Sequence, residues 1–478
     1  MIKSSIVKIG MVSSIWLLGT ILVFGQQTKD QGAISLADLV AFKDPGSSWS
    51  LVSDVNASLT ETNSVKSLKG TGVLLNTSSS KTRGTDLYTA KAFGDMILEL
   101  DYLVAKGANS GIYLQGNYEI QIEDSWTKIN PVSSSNGGAH ERWDNTKPEG
   151  ERGYSGNAPR QNASKAPGLW QHLKIVFQAP KFDVLGNKTA NARLISVDLN
   201  GVTIHDNVEL TGPTRGGVGV EKALAPLRLQ GDQDVVAFRN ISITDVPAAS
   251  LQQSRRGGGG GDPIYVEAPV NTMIRSFVDV VPGVRSVHAI SVGGPQQVAY
   301  SYDLDNGTLL HGWHGDFIDA TPMWDGRGNG TSRPLGSVTR FTNKPVLAIS
   351  KLATAQSEWV NDTTGTGFRT KGYIMDSQDR PEFKYIIYGT KVTDAIKIMA
   401  DGRGLTREIT LDQPAKDLYF LLGEVSSFEE VSKDLYVVND KSFYLQFTEG
   451  QKPIVREVNG KKQLILPISG KLNYSILF

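Results

Sequence analysis

The sequence predicts an all-β protein: a sandwich or jelly roll in its first half and a second, mainly β domain after it. Three observations carry that expectation. Short runs alternate apolar and polar residues with a period of two, and each is bounded by Gly, Asn, Pro or Asp. No stretch of the first half sustains a helical period beyond two turns, so strands are not interleaved with helices as a parallel α/β sheet would require. Five consecutive glycines, Gly257 to Gly261, divide the chain, and at 478 residues it is long enough for two or three domains.

The chain opens on a segment with its own logic. Lys3 and Lys8 supply a positive start, an apolar stretch runs from Ile9 to Phe24, and Val23 and Gly25 place small residues at positions −3 and −1 before Gln26. This pattern reads as a secretory signal peptide over residues 1–25, cleaved after Gly25. The apolar run is shorter than the roughly 20 residues of a spanning helix, and no later segment could cross a bilayer. A periplasmic or extracellular location and no transmembrane anchor after cleavage are therefore expected.

Between residues 35 and 247 the alternating runs are Met96 to Leu103, Ser110 to Leu114, Tyr118 to Asp124, Leu173 to Phe177, Ala192 to Leu199 and Val235 to Ile243. One hairpin can be registered from pattern alone. A three-residue turn, Gln115-Gly116-Asn117, pairs Leu114 with Tyr118, Ile112 with Ile120 and Ser110 with Ile122. One face then becomes core. The other gathers Asn109, Tyr113, Glu119, Gln121 and Glu123, with Glu99 and Asp101 of the preceding strand expected alongside. Gly111 within this polar face suits a close approach by a ligand or backbone.

Residues 248–262 read as a flexible Gly-rich linker, since glycine runs lose too much entropy on ordering to sit inside an element. A phosphate-binding loop would need GxxxxGK[ST], and no Lys-Ser or Lys-Thr follows. In residues 263–478 the strand pattern continues at Val287 to Val292, Gln297 to Leu304, Tyr385 to Tyr388, Ile396 to Ala400, Leu418 to Leu422, Phe443 to Phe447 and Gln463 to Ile468. No function is legible there. His311 and His314 would share a face only on a helix, which Gly312 and Gly315 oppose. An EF-hand loop starting at Asp303 would need Gly at its sixth position and Glu at its twelfth, where Thr308 and His314 stand, so Asp303 to Gly307 is expected to be a hairpin turn.

Composition removes several chemistries. With no Cys there is no disulfide, thiolate metal site, CxxCH haem attachment or cysteine nucleophile. Equal numbers of basic and acidic residues, 49 each, argue against nucleic acid as a partner, which would call for a basic surplus.

A family becomes recognisable in the hairpin. Asn109-Ser-Gly-Ile-Tyr-Leu-Gln-Gly116 followed by Tyr118-Glu-Ile-Gln-Ile122 resembles the central motif of the 3-keto-disaccharide hydrolase family of secreted bacterial proteins. Further pieces in the same order are Gly137-Gly-Ala139, Ala158-Pro159, Asn162-Ala163, Pro167-Gly-Leu-Trp170, Asn200-Gly201, His205-Asp-Asn-Val-Glu209, Leu227-Arg-Leu-Gln230 and Phe238-Arg-Asn-Ile241. The resemblance covers about residues 45 to 246. It implies a concanavalin A-like jelly roll and a carbohydrate substrate oxidised at C3. Two stretches depart from the family's pattern: His140-Glu-Arg-Trp-Asp144 stands where an aliphatic residue and Tyr are usual, and Gly231-Asp232-Gln233 replaces a usual Asp-His-Gly.

A ketone at C3 acidifies the C2 proton. A carboxylate can then remove it, the enolate can expel the C1 oxygen, and water can add across the double bond. The route needs a general base, a stabiliser for the enolate oxygen and an acid for the leaving group. Glu119 is the expected base and His140 a second catalytic candidate. Asn109, Tyr113, Gln121, Asp101, Arg142 and Trp143 are the expected substrate-binding residues, with Trp143 offering a flat surface to a sugar ring. No cofactor is established by the sequence, and a divalent metal held by Glu, Asp and His is the minor alternative. A lectin-like sugar-binding module, or a scaffold for partner oxidoreductases, is the alternative to an enzyme. The sequence does not fix the oligomeric state.

Overall fold

The computed structural model describes residues 32–79, 81, 83–247, 262–324, 329–360 and 362–478. The expected signal peptide and, apart from Asp262, the expected linker lie outside the described residues.

Two sheets face each other in the first domain. The smaller has five strands in the order Phe42–Lys43, Leu87–Phe93, Ala225–Leu229, Asn109–Leu114, Tyr118–Glu123. The larger has seven, in the order Val202–Leu210, Ala192–Leu199, Gln171–Gln178, Met96–Val104, Val236–Asp245, Val65–Asn76, Trp49–Ala57. Neighbours in the seven-stranded sheet are antiparallel, and strands distant in sequence lie side by side, as in a jelly-roll sandwich.

Alternation decides which side chains meet between the sheets. Leu87, Leu229, Ile112 and Ile120 stand in one row across four strands, and an isolated bridge from Ile120 to Ala139 extends it. All five are buried in the core with Leu98, Leu100, Tyr102, Phe177 and Phe238 from the facing sheet. Each large apolar side chain so buried is worth roughly 1.5–3 kcal/mol. The neighbouring positions in the same strands must then point away from the core, and that row carries the polar side chains described below.

The second domain is also β. It contains two eight-stranded sheets and a four-stranded one, with a single four-residue helix, Thr321–Trp324, among the described residues. The sequence-predicted runs fall within or overlap strands Val284–Gly293, Val298–Asp303, Pro381–Ile387, Thr390–Ile398, Leu418–Glu424, Phe443–Phe447 and Lys461–Pro467. Asp303 to Gly307 is a hairpin turn, in which the Asp303 carboxylate accepts from the Asn306 N–H at 2.9 Å. His311 and His314 lie in the strand Thr308–His314, where residues three apart face opposite ways, and His314 Nε2 bonds the Gly402 carbonyl at 2.8 Å. They form no ligand pair.

The domains pack on each other through Trp126, Ala166 and Leu169 on one side and Leu435, Val437, Tyr444 and Leu477 on the other. Trp126 Nε1 donates to the Phe478 carbonyl (2.6 Å) and Tyr444 Oη to the Pro167 carbonyl (2.9 Å). Lys441 pairs with Asp54 at 2.7 Å and Arg239 with Asp440 at 2.8 Å. No helix among the described residues is long and apolar enough to cross a membrane.

Candidate active site

The hairpin pairs as its pattern predicts: Leu114 with Tyr118, Ile112 with Ile120, Ser110 with Ile122, and on the other face Tyr113 with Glu119 and Gly111 with Gln121. Gln115 and Gly116 in the turn both have positive φ, 52° and 69°. The five-stranded sheet extends the polar face further than the hairpin does. Arg228 stands opposite both Tyr113 and Tyr88, so Tyr88, Arg228, Tyr113 and Glu119 form one row across four strands. Beyond Glu119, the Ile120–Ala139 bridge brings His140 alongside, and its N–H donates to the Glu119 carbonyl at 3.0 Å. Glu119 and His140 therefore share one face on neighbouring backbone segments.

Glu119 is only 3% exposed, and its Oε2 has no hydrogen-bond partner. Burial disfavours the charged carboxylate and pushes its pKa up to about 7; the Tyr113 hydroxyl and the charges of Arg228 and Arg215 pull the other way, and Asp86 adds to the rise. No guanidinium forms an ion pair with it among the described residues. Arg228 is directed elsewhere: to Asp86 at 3.5 Å, to the Gly216 carbonyl at 2.9 Å, and onto the face of Tyr113, 3.5 Å from the ring centroid. A carboxyl that is half ionised near neutrality, buried and unpaired is suited to take a proton and give it back.

Gly111 has a different role from the one its sequence position suggested. A Cβ there would collide with Glu119 Oε1, so the missing side chain makes room for the Glu119 carboxylate itself. Burial lowers the His140 pKa, with Arg215 adding to the effect and Glu141 opposing it. Its Nδ1 accepts from the Glu141 N–H at 2.9 Å, which leaves the proton of the neutral ring on Nε2. His140 is thus a neutral ring with a free Nε2 N–H on the segment next to Glu119.

The other expected site residues divide. Gln121 donates to Asn109 Oδ1 at 2.8 Å and to the Ser110 carbonyl at 3.2 Å, so its amide braces the strand end of the polar face. Glu123, from the same face, is paired with Lys128 at 2.7 Å. Trp143 lies in the short hairpin Arg142–Trp143 and Gly153–Tyr154, but Arg215 stacks on its ring at 4.0 Å and its Nε1 donates to Asn145 at 2.9 Å. Arg142 packs on Tyr154 at 5.1 Å and donates to Thr211 at 3.1 Å. The Arg215 N–H donates to the Glu141 carbonyl at 2.8 Å. These contacts tie the 140–157 and 211–216 loops together along one side of Glu119, so Arg142 holds loops and Trp143 has one ring face already covered.

Asp101 and Glu99 are not on this face. Their strand, Met96–Val104, belongs to the seven-stranded sheet, and both point from its outer side. Two strands consecutive in sequence lie in opposite layers of a sandwich, and adjacency in the chain gave the wrong neighbour. Asp101 is held by His172 (2.9 Å), Asn240 (2.7 Å) and Arg239 (3.2 Å). Burial works to raise its pKa, but these partners more than offset it and the carboxyl lies below its usual range. His205 is likewise structural: it sits inside the strand Val202–Leu210 with Nε2 on the Gly137 carbonyl at 2.8 Å.

Arg228, Arg215 and Asp86 escaped the sequence reading. Alternation in Leu227-Arg-Leu-Gln230 puts Arg228 on a polar face, but nothing local says that this strand inserts between Leu87–Phe93 and Asn109–Leu114. Among the described residues no three His, Cys, Asp or Glu side chains come together as a metal ligand set, so the divalent-metal alternative finds no group of ligands there.

Residues 43–244 match the family model of the 3-keto-alpha-glucoside-1,2-lyase-like domain. The match spans the first domain and stops short of the second. Two crystal structures of proteins from Parabacteroides distasonis, provisionally assigned as glycosyl hydrolases, are similar: one at 25% identity over 45% of this chain and 84% of its own (TM-score 0.30), another at 18% over 45% and 99% (TM-score 0.29). The binding domain of botulinum neurotoxin serotype D is similar at 8% identity over 94% of this chain and 97% of its own, with a TM-score of 0.25. A search of curated proteins finds no match.

Proposed function

We propose that the first domain cleaves 3-keto-glycosides, with Glu119 as the base that removes the C2 proton. The observation that carries this reading is the buried, unpaired Glu119 carboxylate with a pKa near 7, in a domain matching a 3-keto-glucoside lyase-like family. The C2–H electron pair becomes the C2–C3 enolate as Glu119 takes the proton. That pair then forms the C1–C2 double bond while the C1–oxygen bond breaks. The departing oxygen takes a proton from a water molecule, while the neutral His140 ring keeps its Nε2 proton and donates a hydrogen bond to it. The hydroxide left by that water adds at C1, C2 regains a proton from Glu119, and the products are a 3-keto sugar and the free leaving group.

His140 and Arg215 are the donors for the developing charge. Both sit beside Glu119, and Arg215 has no ion-pair partner among the described residues. An ordinary glycosidase instead needs two carboxyls across C1, one as acid and one as nucleophile or base. Asp86, the other acid whose charge acts on Glu119, is occupied by Arg228 and the Gly231 N–H. The residue 1–25 pattern supports action outside the cytoplasm.

The test pairs a substrate comparison with a variant. A 3-keto-disaccharide should release reducing sugar and its unoxidised parent should not. Glu119→Gln keeps size and hydrogen bonding but loses basicity, and should lower kcat/KM by ~10²- to 10⁴-fold, the usual weight of a general base. Tight binding of the keto-sugar without release would make the domain a sugar-binding module, and a fully active Glu119→Gln would remove Glu119 as the base.

A further inference from the structure

Tyr113 looks at first like a substrate-binding side chain, since it lies on the polar face beside the base. Its surroundings say otherwise. The residue is 3% exposed, one face of its ring is covered by the Arg228 guanidinium, and a Cβ on Gly216, whose φ is 79°, would fall 2.9 Å from its hydroxyl. The hydroxyl is enclosed on the protein side. The hydroxyl donates to the Arg215 carbonyl at 3.3 Å, and the carboxylate of Glu119, the residue paired with Tyr113 across the strands on the same face, is the second acceptor beside it. A phenol carries one proton and can donate only one full bond at a time. At 3.3 Å the bond to Arg215 is long against the usual 2.7–2.8 Å of O–H···O, as expected of a proton with a second acceptor available.

We propose that the Tyr113 hydroxyl is a two-position rotor that follows the charge of Glu119, donating to the carboxylate while it is the free base and turning to the Arg215 carbonyl once Glu119 has taken up the substrate's proton. The inference rests on Glu119 being the base. Its physical ground is that a hydrogen bond to an ionised acceptor is roughly twice as strong as one to a neutral acceptor. The carboxylate therefore outcompetes a backbone carbonyl, and the neutral acid does not. No proton leaves the tyrosine, which burial and the neighbouring Glu119 charge hold well above its ordinary pKa. Arg228 fixes the ring, with Asp86 and the Gly216 carbonyl fixing Arg228, so only the O–H bond needs to turn. Tyr113 is on this account a positioning residue: it steadies the base in its charged form and releases it when the charge is gone.

Tyr113→Phe removes the hydroxyl and keeps the ring under Arg228. Removing a hydrogen bond from the charged form raises the carboxyl's pKa, so the acid limb of kcat/KM should move up by about half a unit or more. A half-unit rise halves the ionised fraction of the base at pH 7, so kcat should fall about twofold there and recover at high pH, while KM stays unchanged, because the group lost acted on the base and not on the substrate. A readout independent of turnover is the carbonyl stretch of protonated Glu119 followed against pH by infrared difference spectroscopy in the full chain, identified by its absence in Glu119→Gln. That titration should shift upward in Tyr113→Phe by the same amount as the acid limb. An unmoved titration, or a raised KM at unchanged kcat, would overturn the rotor and return Tyr113 to substrate contact. If Glu119→Gln proves fully active, it is the base assignment that fails.

Discussion

Two buried carboxylates, one in each domain, are built from the same residue types and do opposite things. Asp394 is fully buried in the second domain, where Arg407 meets it with two N–H groups at 3.0 and 2.6 Å and the Tyr302 hydroxyl adds a third bond at 3.0 Å. Arg407 in turn donates to the Gly307 carbonyl at 3.0 Å, so the charges are matched and their remaining capacity is used. Glu119 also has an arginine and a tyrosine as neighbours, but that arginine is turned to Asp86, and Oε2 is left without a partner. Burial with full pairing fixes a charge in place, whereas burial without pairing moves its titration to where a proton can be exchanged. The difference lies in where the arginine points.

Asp394→Ala leaves Arg407 as an uncompensated buried charge and should destabilise the full chain by about 3–5 kcal/mol in denaturant unfolding. Glu119→Gln should do the reverse. A carboxyl raised in the folded state to about 7 contributes nothing unfavourable below its unfolded value near 4.5 and costs stability as pH rises between the two. Removing that charge should therefore stabilise the protein at pH 8 by up to about 3 kcal/mol, at 1.36 kcal/mol per pKa unit, with almost no effect at pH 4. A Glu119→Gln protein no more stable than the parent at pH 8 would mean that the carboxylate is not desolvated.

Turnover sharpens the contrast further. Because the base must be ionised, kcat/KM should climb with pH to a plateau above about 7, falling about tenfold per unit below it. Gly111→Ala places a methyl where Glu119 Oε1 lies, in a strand whose backbone accepts alanine, and should lower kcat/KM about tenfold through misplacement of the base while unfolding little changed. Asp101→Asn, on the outer side of the other sheet, should leave kcat/KM within about twofold, as substitutions remote from a site usually do.

How much of this was legible in the sequence follows the range of the interactions involved. The hairpin's register could be read because a one-residue slip would bury Glu119's neighbours wrongly, a penalty confined to fourteen or so consecutive residues. His140 was found as a histidine in the loop after the hairpin, but its place beside Glu119 depends on a bridge between Ile120 and Ala139 that no periodicity announces. Asp101 was misplaced for the same reason: the chain crosses from one sheet to the other between Val104 and Asn109, and period-two alternation is blind to which layer a strand enters. Arg228 arrives from more than a hundred residues away. Faces of strands are local properties and can be read from sequence, but strand order, which assembles the row Tyr88–Arg228–Tyr113–Glu119, is not.

If Glu119 takes the proton from C2, the isotope content of that carbon records it. With a 3-keto-disaccharide in deuterated water, the sugar product should carry deuterium at C2, because the carbon is reprotonated by Glu119 after exchange with solvent. The incorporation should exceed the background seen with Glu119→Gln, and the unoxidised disaccharide should remain intact. Cleavage of the unoxidised disaccharide with no deuterium at C2 would contradict the claim and confine the chemistry to C1.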